Sequence, residues 1–308
     1  MKPKITVVGS GNVGAQAAYR LAQRGMADVV LLDIVEGIPQ GKGLDMSQAG
    51  YIDGFDCQVL GTNDYEATKN SAVVIITAGL ARKPGMSRDD LITKNAAIVK
   101  SVVENAVRLS PQAVLLLVTN PLDVMTYHAL KISALPPQQV LGMAPLLDAA
   151  RMAYFISQEL QLPIQSVYAE VLGSHGDLMV PAPSLCTVNG RPLTEVLSPE
   201  RIKYIVAKTT NGGAEIVSLL KTGSAYYAPG SAAARMAEAI LNDKGEVIGS
   251  CCYLNGEYGL KDVCLGVPAK LGRQGIKEIV KLNLSEPELA ALHQAAESVK
   301  KLFPILNH

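Results

Sequence analysis

The sequence feature that most constrains the fold is a glycine-rich turn between a short apolar strand and a helix. Residues 5–8 are an apolar run, Gly9-Ser10-Gly11-Asn12-Val13-Gly14 follows the pattern G-x-G-x-x-G, and residues 13–23 have a helical pattern. A second apolar run, residues 29–32, ends at Asp33. Glycines at these positions allow a tight turn and a close approach of the backbone to a diphosphate, which the N-terminus of the helix attracts. We therefore interpret this unit as a dinucleotide-binding turn.

The carboxylate of Asp33 indicates which dinucleotide binds. At the end of the second strand it can accept hydrogen bonds from both ribose hydroxyls, whereas a 2′-phosphate would face a like charge at a cost of about 4 kcal/mol. Residues 34–36 supply no arginine that would compensate. We expect NAD rather than NADP, and the alternative is that Asp33 only caps a turn or a helix. The nearby segment 37–43 fails the spacing of a phosphate loop.

The remainder of the first half alternates strands and helices. Apolar runs predict further strands at residues 58–61, 72–77, 113–118 and 139–141. Apolar positions at helical spacing predict a helix over residues 95–109. This alternation is typical of a parallel sheet covered on both faces, which binds ligands at the carboxyl ends of its strands. Those ends carry the glycine-rich turn, Asp33, Ala78-Gly79 and Asn120-Pro121.

The pattern changes after about residue 143. Helices are predicted at residues 148–160, 199–221, 230–241 and 286–303, and strands at 167–172, 247–254 and 263–268. We predict an α/β protein of two domains. Residues 1–142 would form a Rossmann-type doubly wound parallel sheet that binds the cofactor, and residues 143–308 an α+β domain that binds substrate and carries catalytic groups. The site would lie where the two domains meet.

Composition and charge argue against several classes of partner. The chain has 28 Lys and Arg and 28 Asp and Glu, so its formal net charge is zero, which disfavours nucleic-acid binding. The longest uninterrupted apolar run, residues 113–118, is far shorter than the roughly 20 residues that a membrane-spanning helix needs. The five cysteines lack metal-ligand spacing and are interpreted as reduced thiols. We expect a cytoplasmic protein with no metal, no membrane partner and no nucleic-acid partner.

One histidine lies where a catalytic group is expected. His175 is part of Gly173-Ser174-His175-Gly176-Asp177, directly after a predicted strand of the second domain, and a histidine between glycines is free to face a cleft. Its imidazolium can supply a proton when hydride transfer creates an alkoxide, and the neutral ring can take the proton back. A carboxylate would orient the ring, and Asp148 and Asp177 are the candidates. Asp148 could also cap the helix that begins there.

A loop after the strand at 72–77 carries two arginines, Arg82 and Arg88. Residues 79–88 are punctuated by Gly and Pro and follow a buried strand, so they are predicted to lie at the carboxyl edge of the sheet. Such a loop can close over a substrate and exclude water. The alternative is an ordinary solvated surface.

Seven motifs occur in an order that resembles a known family. They are residues 8–14, Thr77-Ala78-Gly79, residues 82–91, Val118-Thr119-Asn120-Pro121-Leu122-Asp123, Leu147-Asp148-Ala149-Ala150-Arg151, Ser174-His175-Gly176-Asp177 and residues 220–229. Together they resemble the lactate/malate dehydrogenase superfamily, and within it the malate dehydrogenases of the lactate-dehydrogenase-like type. The resemblance covers essentially the whole chain.

The resemblance implies how the substrate is held. Arg151 would bind the C1 carboxylate of the substrate through a bidentate fork, and Arg88 would polarise the reacting carbonyl. Arg82 would bind a second carboxylate. Asn120 would contact the substrate and support the nicotinamide, and the Asn120-Pro121 bond is expected to be cis. Ser224 would line the floor of the pocket.

The resemblance also implies the catalytic pair, the cofactor and the assembly. His175 would carry the proton, with Asp148 as its partner. The cofactor would be NAD, held by the glycine-rich turn and Asp33 and by further contacts from Thr77, Ala78, Gly79, Asn95, Val118 and Asn120. The chain would form a homodimer or a homotetramer.

Two positions depart from the usual pattern of the family. Ser174 stands where Gly is usual, and a positive φ there would strain it. Pro145-Leu146 stand where Gly-Val or a similar pair is usual, and proline lacks an N–H and fixes φ. Both departures bear on the placement of His175 and Asp148.

Charge favours a dicarboxylate substrate. With Arg151 and Arg88 assigned, Arg82 is a surplus cation that a monocarboxylate such as pyruvate would leave unpaired. Removing one partner of a buried charge pair costs roughly 3–5 kcal/mol. We expect reversible NAD-linked interconversion of malate and oxaloacetate. The alternatives are a lactate dehydrogenase, or another 2-hydroxy acid dehydrogenase, and an NAD-binding protein without turnover.

Overall fold

The first half of the chain folds around a parallel sheet in a computed structural model that describes residues 2–81 and 85–306. Its strands are β1 (Lys4–Val8), β2 (Asp28–Leu32), β3 (Val59–Thr62), β4 (Val73–Ile76), β5 (Val114–Leu117) and β6 (Val140–Gly142). They lie in the order β3-β2-β1-β4-β5-β6, all parallel. Every residue of β4 and β5 is buried, which explains their continuous apolar sequences. The predicted Rossmann-type fold is confirmed.

Four helices connect these strands. They are α1 (Asn12–Arg24), α2 (Ile38–Asp53), α3 (Arg88–Leu109) and α4 (Leu122–Ser133). The sequence-based start of α3 at residue 95 is wrong, because the helix begins at Arg88 after a capping box. In that box Ser87 Oγ accepts a hydrogen bond from Asp90 N at 3.0 Å, and Asp90 accepts one from Ser87 N at 3.3 Å.

Helix α2 was not predicted, and its glycines explain why. Gly41, Gly43 and Gly50 lower its helix propensity and weaken the amphipathic pattern. A Cβ at Gly43 would lie 2.6 Å from Gly61 N in β3, and one at Gly50 would lie 2.8 Å from Phe55 O. Close packing of α2 on the edge of the sheet therefore requires residues that local sequence rules assign to loops.

The second half continues the same sheet. After α5 (Pro145–Leu160) its elements are β7 (Val167–Tyr168), β8 (Val171–Gly173), β9 (Met179–Pro181), β10 (Thr187–Val188), β11 (Arg191–Pro192), α6 (Leu193–Val196), α7 (Pro199–Leu220), α8 (Tyr227–Asn242), β12 (Glu246–Asn255), β13 (Lys261–Gly272), β14 (Gly275–Ile279) and α9 (Glu286–Lys300). Strand β12 joins β6 through the pair Cys251 and Gly142, and the order continues β12-β13-β8-β9. Both halves of the chain are thus tied into one sheet.

The single strand predicted at residues 167–172 is two strands in two sheets. Strand β7 pairs with β10 in a small three-stranded sheet, whereas β8 pairs with β13 and β9 in the large one. Between them, the buried Glu170 accepts a hydrogen bond from Tyr168 Oη at 2.6 Å. The change of sheet brings the end of β8 to the seam between the two halves. Among the described residues, no helix has both the length and the apolarity that crossing a bilayer requires.

Candidate active site

A cavity of about 300 Å³ lies at the seam between the two halves of the chain. It is bounded by the start of α1, the end of β5, the loop after β8, and helices α5 and α7. Six of the residues predicted from the sequence line it: Val13, Val118, Asn120, Arg151, His175 and Ser224. The carboxyl ends of β5 and β8 therefore meet at one place, as a site at the edge of the sheet requires.

His175 is held by a carboxylate on its Nδ1 side. The ring Nδ1 lies 2.9 Å from Oδ2 of Asp148, which leaves Nε2 as the other ring atom able to bond a ligand. Gly173 and Gly176 flank the segment with φ of +85° and +122°, so glycine is needed at both turns. Of the two candidate partners, Asp148 is the one bonded to the ring, and Asp177 lines the cavity.

Asp148 belongs to the first turn of α5. The N-cap position of this helix is Ala144 and the helix starts at Pro145, so the alternative of Asp148 as the N-cap residue is wrong. Proline at the first helical position loses no hydrogen bond, which removes the concern over Pro145. The carboxylate is buried, and its Oδ1 accepts a hydrogen bond from Arg151 at 3.0 Å. Asp148 thus links the imidazole on one oxygen to the guanidinium on the other.

The surroundings of His175 favour its charged form. Burial alone would lower the pKa of His175, but the charge and the hydrogen bond of Asp148, with a further contribution from Asp123, outweigh burial and the repulsion from Arg151. The pKa of His175 is therefore raised above its usual value of 6.5. A raised pKa favours the imidazolium, which is the form that donates a proton when a carbonyl is reduced.

Ser174 is not strained, because it is absent from the residues with positive φ. Its Oγ donates a hydrogen bond to Oδ2 of Asp123 at 2.8 Å, and the N–H of His175 donates to the same oxygen at 3.0 Å. Asp123 is a buried residue of α4 that the sequence analysis quoted within a motif and gave no role. Its position directly after Asn120-Pro121-Leu122 was the available signal.

Arg151 lies against the backbone of α7. A Cβ added to Gly213 would lie 3.5 Å from both terminal nitrogens of the guanidinium, and one added to Gly212 would lie 3.5 Å from Arg151 Cδ. The Gly212-Gly213 pair was also missed by the sequence analysis, although two glycines inside a predicted helix signal close packing.

The glycine-rich turn has the shape that a diphosphate needs. Gly9 has φ of +103°, and a Cβ at Gly14 would lie 1.8 Å from Gly9 O, so neither position tolerates a side chain. A Cβ at Gly11 would meet nothing within 4 Å, so this N-cap residue of α1 faces open space. Thr77 Oγ1 closes the other side, with Val8 O and Gly9 O each at 3.1 Å. The free N–H groups at the start of α1 can therefore reach an anion.

Asp33 lies beside this turn. Its Oδ2 accepts hydrogen bonds from Ser10 N at 2.6 Å and Ser10 Oγ at 2.8 Å, and its Oδ1 accepts one from Val35 N at 3.0 Å. Burial acts to raise the pKa of Asp33, but these hydrogen bonds lower it below its usual value. These bonds favour the ionised carboxylate, and they join the turn after β2 to the glycine-rich turn.

The other cofactor candidates lie at the ends of β4 and β5 and, in the case of Asn95, on α3. The buried Asn95 donates hydrogen bonds to Asn120 O at 2.7 Å and to Leu80 O at 3.2 Å, and it accepts one from Leu80 N at 2.8 Å. Gly79 packs against Thr119, where a Cβ would lie 2.5 Å from the threonine methyl, and Ala78 precedes it. The Asn120-Pro121 bond is cis, as expected. Asn95 thus ties the loop after β4 to the segment after β5.

Only one of the two arginines predicted for the loop after β4, Arg88, lies among the described residues. Arg88 is the exposed first residue of α3 and does not line the 300 Å³ cavity. Arg82 lies outside the described residues. The substrate contacts assigned to both residues remain predictions.

Two family models match the chain over nearly its whole length. The model of the lactate/malate dehydrogenase NAD binding domain matches residues 3–142, and the model of the lactate/malate dehydrogenase alpha/beta C-terminal domain matches residues 146–304. A malate dehydrogenase of Synechocystis sp. is 53% identical over 297 residues, which are 96% of this chain and 92% of that protein.

Solved structures show the same relationship. Malate dehydrogenase from Salinibacter ruber superposes with a TM-score of 0.94 at 46% identity, covering 98% of this chain and 97% of that one. Lactate dehydrogenase from Cryptosporidium parvum, solved with lactic acid and nicotinamide adenine dinucleotide, has a TM-score of 0.96 at 40% identity, covering 100% and 99%. With both family models matched and these identities extending over nearly its full length, the chain belongs to the lactate/malate dehydrogenase family.

Proposed function

We propose that the protein is an NAD-dependent malate dehydrogenase, which interconverts (S)-malate and oxaloacetate. The observation that carries the proposal is the hydrogen-bonded chain His175–Asp148–Arg151 on the wall of the seam cavity. It places a proton donor and a cation that binds carboxylates side by side. Relatives named malate dehydrogenase, whose sequences are 50–53% identical to this chain, support the same reaction.

The protein's own residues account for the proton chemistry. NAD would accept the hydride from C2 of malate, and its reduced form would return it. With Nδ1 bonded to Asp148, the Nε2 atom of His175 takes the hydroxyl proton during oxidation and gives it to the carbonyl oxygen during reduction. Asp148 holds the ring and stabilises the imidazolium without leaving its bond to Arg151. Asp148 is buried, whereas the His175 side chain is partly exposed to the cavity, where it can meet the substrate.

Binding of the substrate is assigned to the arginines. Arg151 is oriented by Asp148 and packed on α7, so its remaining N–H donors are free to bind the C1 carboxylate. Arg88 polarises the carbonyl and Arg82 binds the distal carboxylate when the loop closes, while Asn120 and Ser224 complete the pocket. The charge of Arg82 supports malate over lactate, because pyruvate would leave it without a partner.

The residues of the first half fit NAD. The open face at Gly11 accepts a diphosphate, and Asp33 favours ribose hydroxyls over a 2′-phosphate. We place the cofactor domain at residues 1–142 and the substrate and catalytic domain at residues 143–308. The cofactor would be supported from the ends of β4 and β5 by Thr77, Ala78, Gly79 and Val118, and from α3 by Asn95.

We further infer a cytoplasmic homo-oligomer without nucleic-acid or membrane partners. Helix α2 exposes large apolar side chains, including Leu44, Tyr51 and Ile52, which supports a contact with another copy. Light scattering during gel filtration should give about two or four times the chain mass of 32.6 kDa. A monomeric mass would remove this part of the proposal.

The decisive experiment follows NADH oxidation with different acceptors. Oxaloacetate should be reduced with a catalytic efficiency far above that for pyruvate, and NADPH should be a poorer donor. His175→Asn should lower kcat by about 100-fold or more while NADH still binds. A preference for pyruvate would indicate a lactate dehydrogenase, and NADH binding without turnover would indicate a non-catalytic protein.

A further inference from the structure

A second buried carboxylate, that of Asp123, is bonded to the backbone of His175 and has no part in the proton transfer. Asp123, the second residue of α4, is 4% exposed. Its Oδ2 accepts hydrogen bonds from the N–H of His175 at 3.0 Å and from Ser174 Oγ at 2.8 Å. Its Oδ1 accepts one from the Sγ–H of Cys251 in β12 at 3.4 Å. Donors from two other segments therefore converge on one carboxylate.

In each of these contacts Asp123 accepts a hydrogen bond from a donor, which is the environment that favours an ionised carboxylate. A buried carboxylate without such donors is strongly destabilising, so one that is retained must be bonded on both oxygens. Burial raises the pKa of Asp123 above its usual value, and the donors from Ser174, His175 and Cys251, together with the charge of His175, offset only part of that increase. The bond to the backbone N–H of His175 fixes the main chain and leaves the imidazole free.

The backbone of the loop that carries His175 is held at its two ends, where Gly173 pairs with β13 and β9 and Gly176 O accepts a hydrogen bond from Met179 N at 3.1 Å. It runs between Gly173 and Gly176, both with positive φ, and glycine is the residue with the greatest backbone freedom. Asp123 follows directly on the segment that contains Asn120, which lines the cavity. The carboxylate therefore sets the position of the His175 backbone relative to the cavity wall formed by the first half.

The charges that face His175 come from three directions. Helix α5 contributes Asp148 and Arg151, helix α4 contributes Asp123, and the loop itself contributes Asp177. Helix α7 contributes only uncharged residues to the cavity: Thr210, Asn211, Gly213, Ala214 and Val217. Asp123 is thus a second carboxylate beside His175, bonded to its backbone N–H, whereas Asp148 is bonded to its ring.

We propose that Asp123, with Ser174 as its hydroxyl partner, is a positioning residue that fixes the His175 backbone so that the imidazole reaches both Asp148 and the substrate. The Ser174 hydroxyl adds a second hydrogen bond to the oxygen that accepts the His175 N–H, so it is an additional restraint on the same segment. The proposal rests on the proposed reaction for its kinetic consequences, but the arrangement of His175 can be measured without substrate.

The test compares Ser174→Ala and Asp123→Asn with a matched control. Ser184→Ala serves as that control, because Ser184 also donates its hydroxyl to a largely buried carboxylate, Glu288, at 2.6 Å, away from the cavity. Ser174→Ala should lower kcat for oxaloacetate reduction by about 3- to 10-fold with an unchanged KM for NADH, since one hydrogen bond to a charged group is lost. Ser184→Ala should keep the kcat of the unsubstituted protein.

Asp123→Asn removes charge while keeping an acceptor oxygen for the backbone. Because Asp123 raises the pKa of His175, the imidazole of this variant should titrate at lower pH, seen in histidine-labelled NMR spectra of the protein without ligands, with His175→Asn assigning the signal. In the Asp123→Asn background, Ser174→Ala should cost less kcat than it does alone, because the two side chains act together.

Two outcomes would overturn the proposal. One is a Ser174→Ala protein with the same kcat as Ser184→Ala, which decides the matter even if Asp123→Asn does not fold. The other is an Asp123→Asn protein that folds and keeps the original titration of His175. A purely structural role would lower Tm without moving either readout. If the unsubstituted protein failed to reduce oxaloacetate, the proposed function would fail, and the NMR titration would still decide the role of Asp123.

Discussion

The packing of Arg151 on α7 leads to a sharp prediction at Gly213. A Cβ at this position would lie 3.5 Å from each terminal nitrogen of the guanidinium, which is ordinary van der Waals contact. Gly213→Ala should therefore leave Arg151 in place. It should also stabilise the protein by about 0.5–1 kcal/mol, because alanine is favoured over glycine inside a helix.

Gly213→Val should have the opposite effect on catalysis. Its two methyl groups extend about 1.5 Å beyond Cβ, and a β-branched side chain in a helix has essentially one rotamer with which to avoid the guanidinium. Displacing Arg151 would lose a charge-assisted hydrogen bond to the substrate carboxylate, worth about 1.5–3 kcal/mol. The catalytic efficiency with oxaloacetate should fall roughly 10- to 100-fold.

The assay is steady-state oxaloacetate reduction at saturating NADH, with thermal denaturation of both variants as the control for folding. The KM for NADH should be unchanged in both, because Gly213 faces the substrate arginine. If Gly213→Val folded normally and kept the catalytic efficiency of Gly213→Ala, the contact between Arg151 and α7 would have no part in substrate binding.

Three further predictions concern the cofactor, the substrate and the proton. Asp33→Ser should shift the ratio of catalytic efficiencies for NADH and NADPH toward NADPH; an unchanged ratio would contradict the ribose role. Arg82→Gln should lower the catalytic efficiency of oxaloacetate reduction at least about tenfold and leave that of pyruvate reduction equal or higher. If only Lys83→Gln reversed the preference, Lys83 rather than Arg82 would bind the distal carboxylate. The efficiency of reduction should fall as pH rises, because reduction needs the imidazolium of His175. In Asp148→Asn this fall should begin at a lower pH, because loss of the Asp148 charge lowers the pKa of His175. An unchanged pH profile would show that Asp148 does not act on the proton carrier.

The parts of the fold that the sequence predicted are those decided by local burial. Strands β4 and β5 are buried along their whole length, so their apolar sequences identify them without reference to the remainder of the chain. The glycine-rich turn was recognised for a related reason, since Gly9 has a positive φ that favours glycine and a Cβ at Gly14 would lie 1.8 Å from Gly9 O.

The parts that the sequence did not predict depend on distant partners. Helix α2 has glycines because it approaches β3, and the chain between Tyr168 and Val171 changes sheets because β10 and β13 are where those strands find partners. Asp123 was left without a role for the same reason, since its donors lie about fifty and more than a hundred residues along the chain. Local patterns contain no information on such pairings.

The seam itself shows how the fold sets the distance between the catalytic groups. Helix α5 begins on top of β12 and β13, where a Cβ at Gly249 would lie 2.9 Å and one at Gly266 would lie 2.5 Å from side-chain atoms of Pro145. These two glycines let the first turn of the helix rest on the sheet, and Asp148 lies in that turn. A Cβ at Gly266 would also lie 2.6 Å from Gly173 O, at the end of the strand that leads to His175. Close packing at Gly266 therefore positions both the helix turn that carries Asp148 and the strand end that leads to His175. Pro145 takes part in this packing, so it is compatible with the 2.9 Å bond between Asp148 and His175.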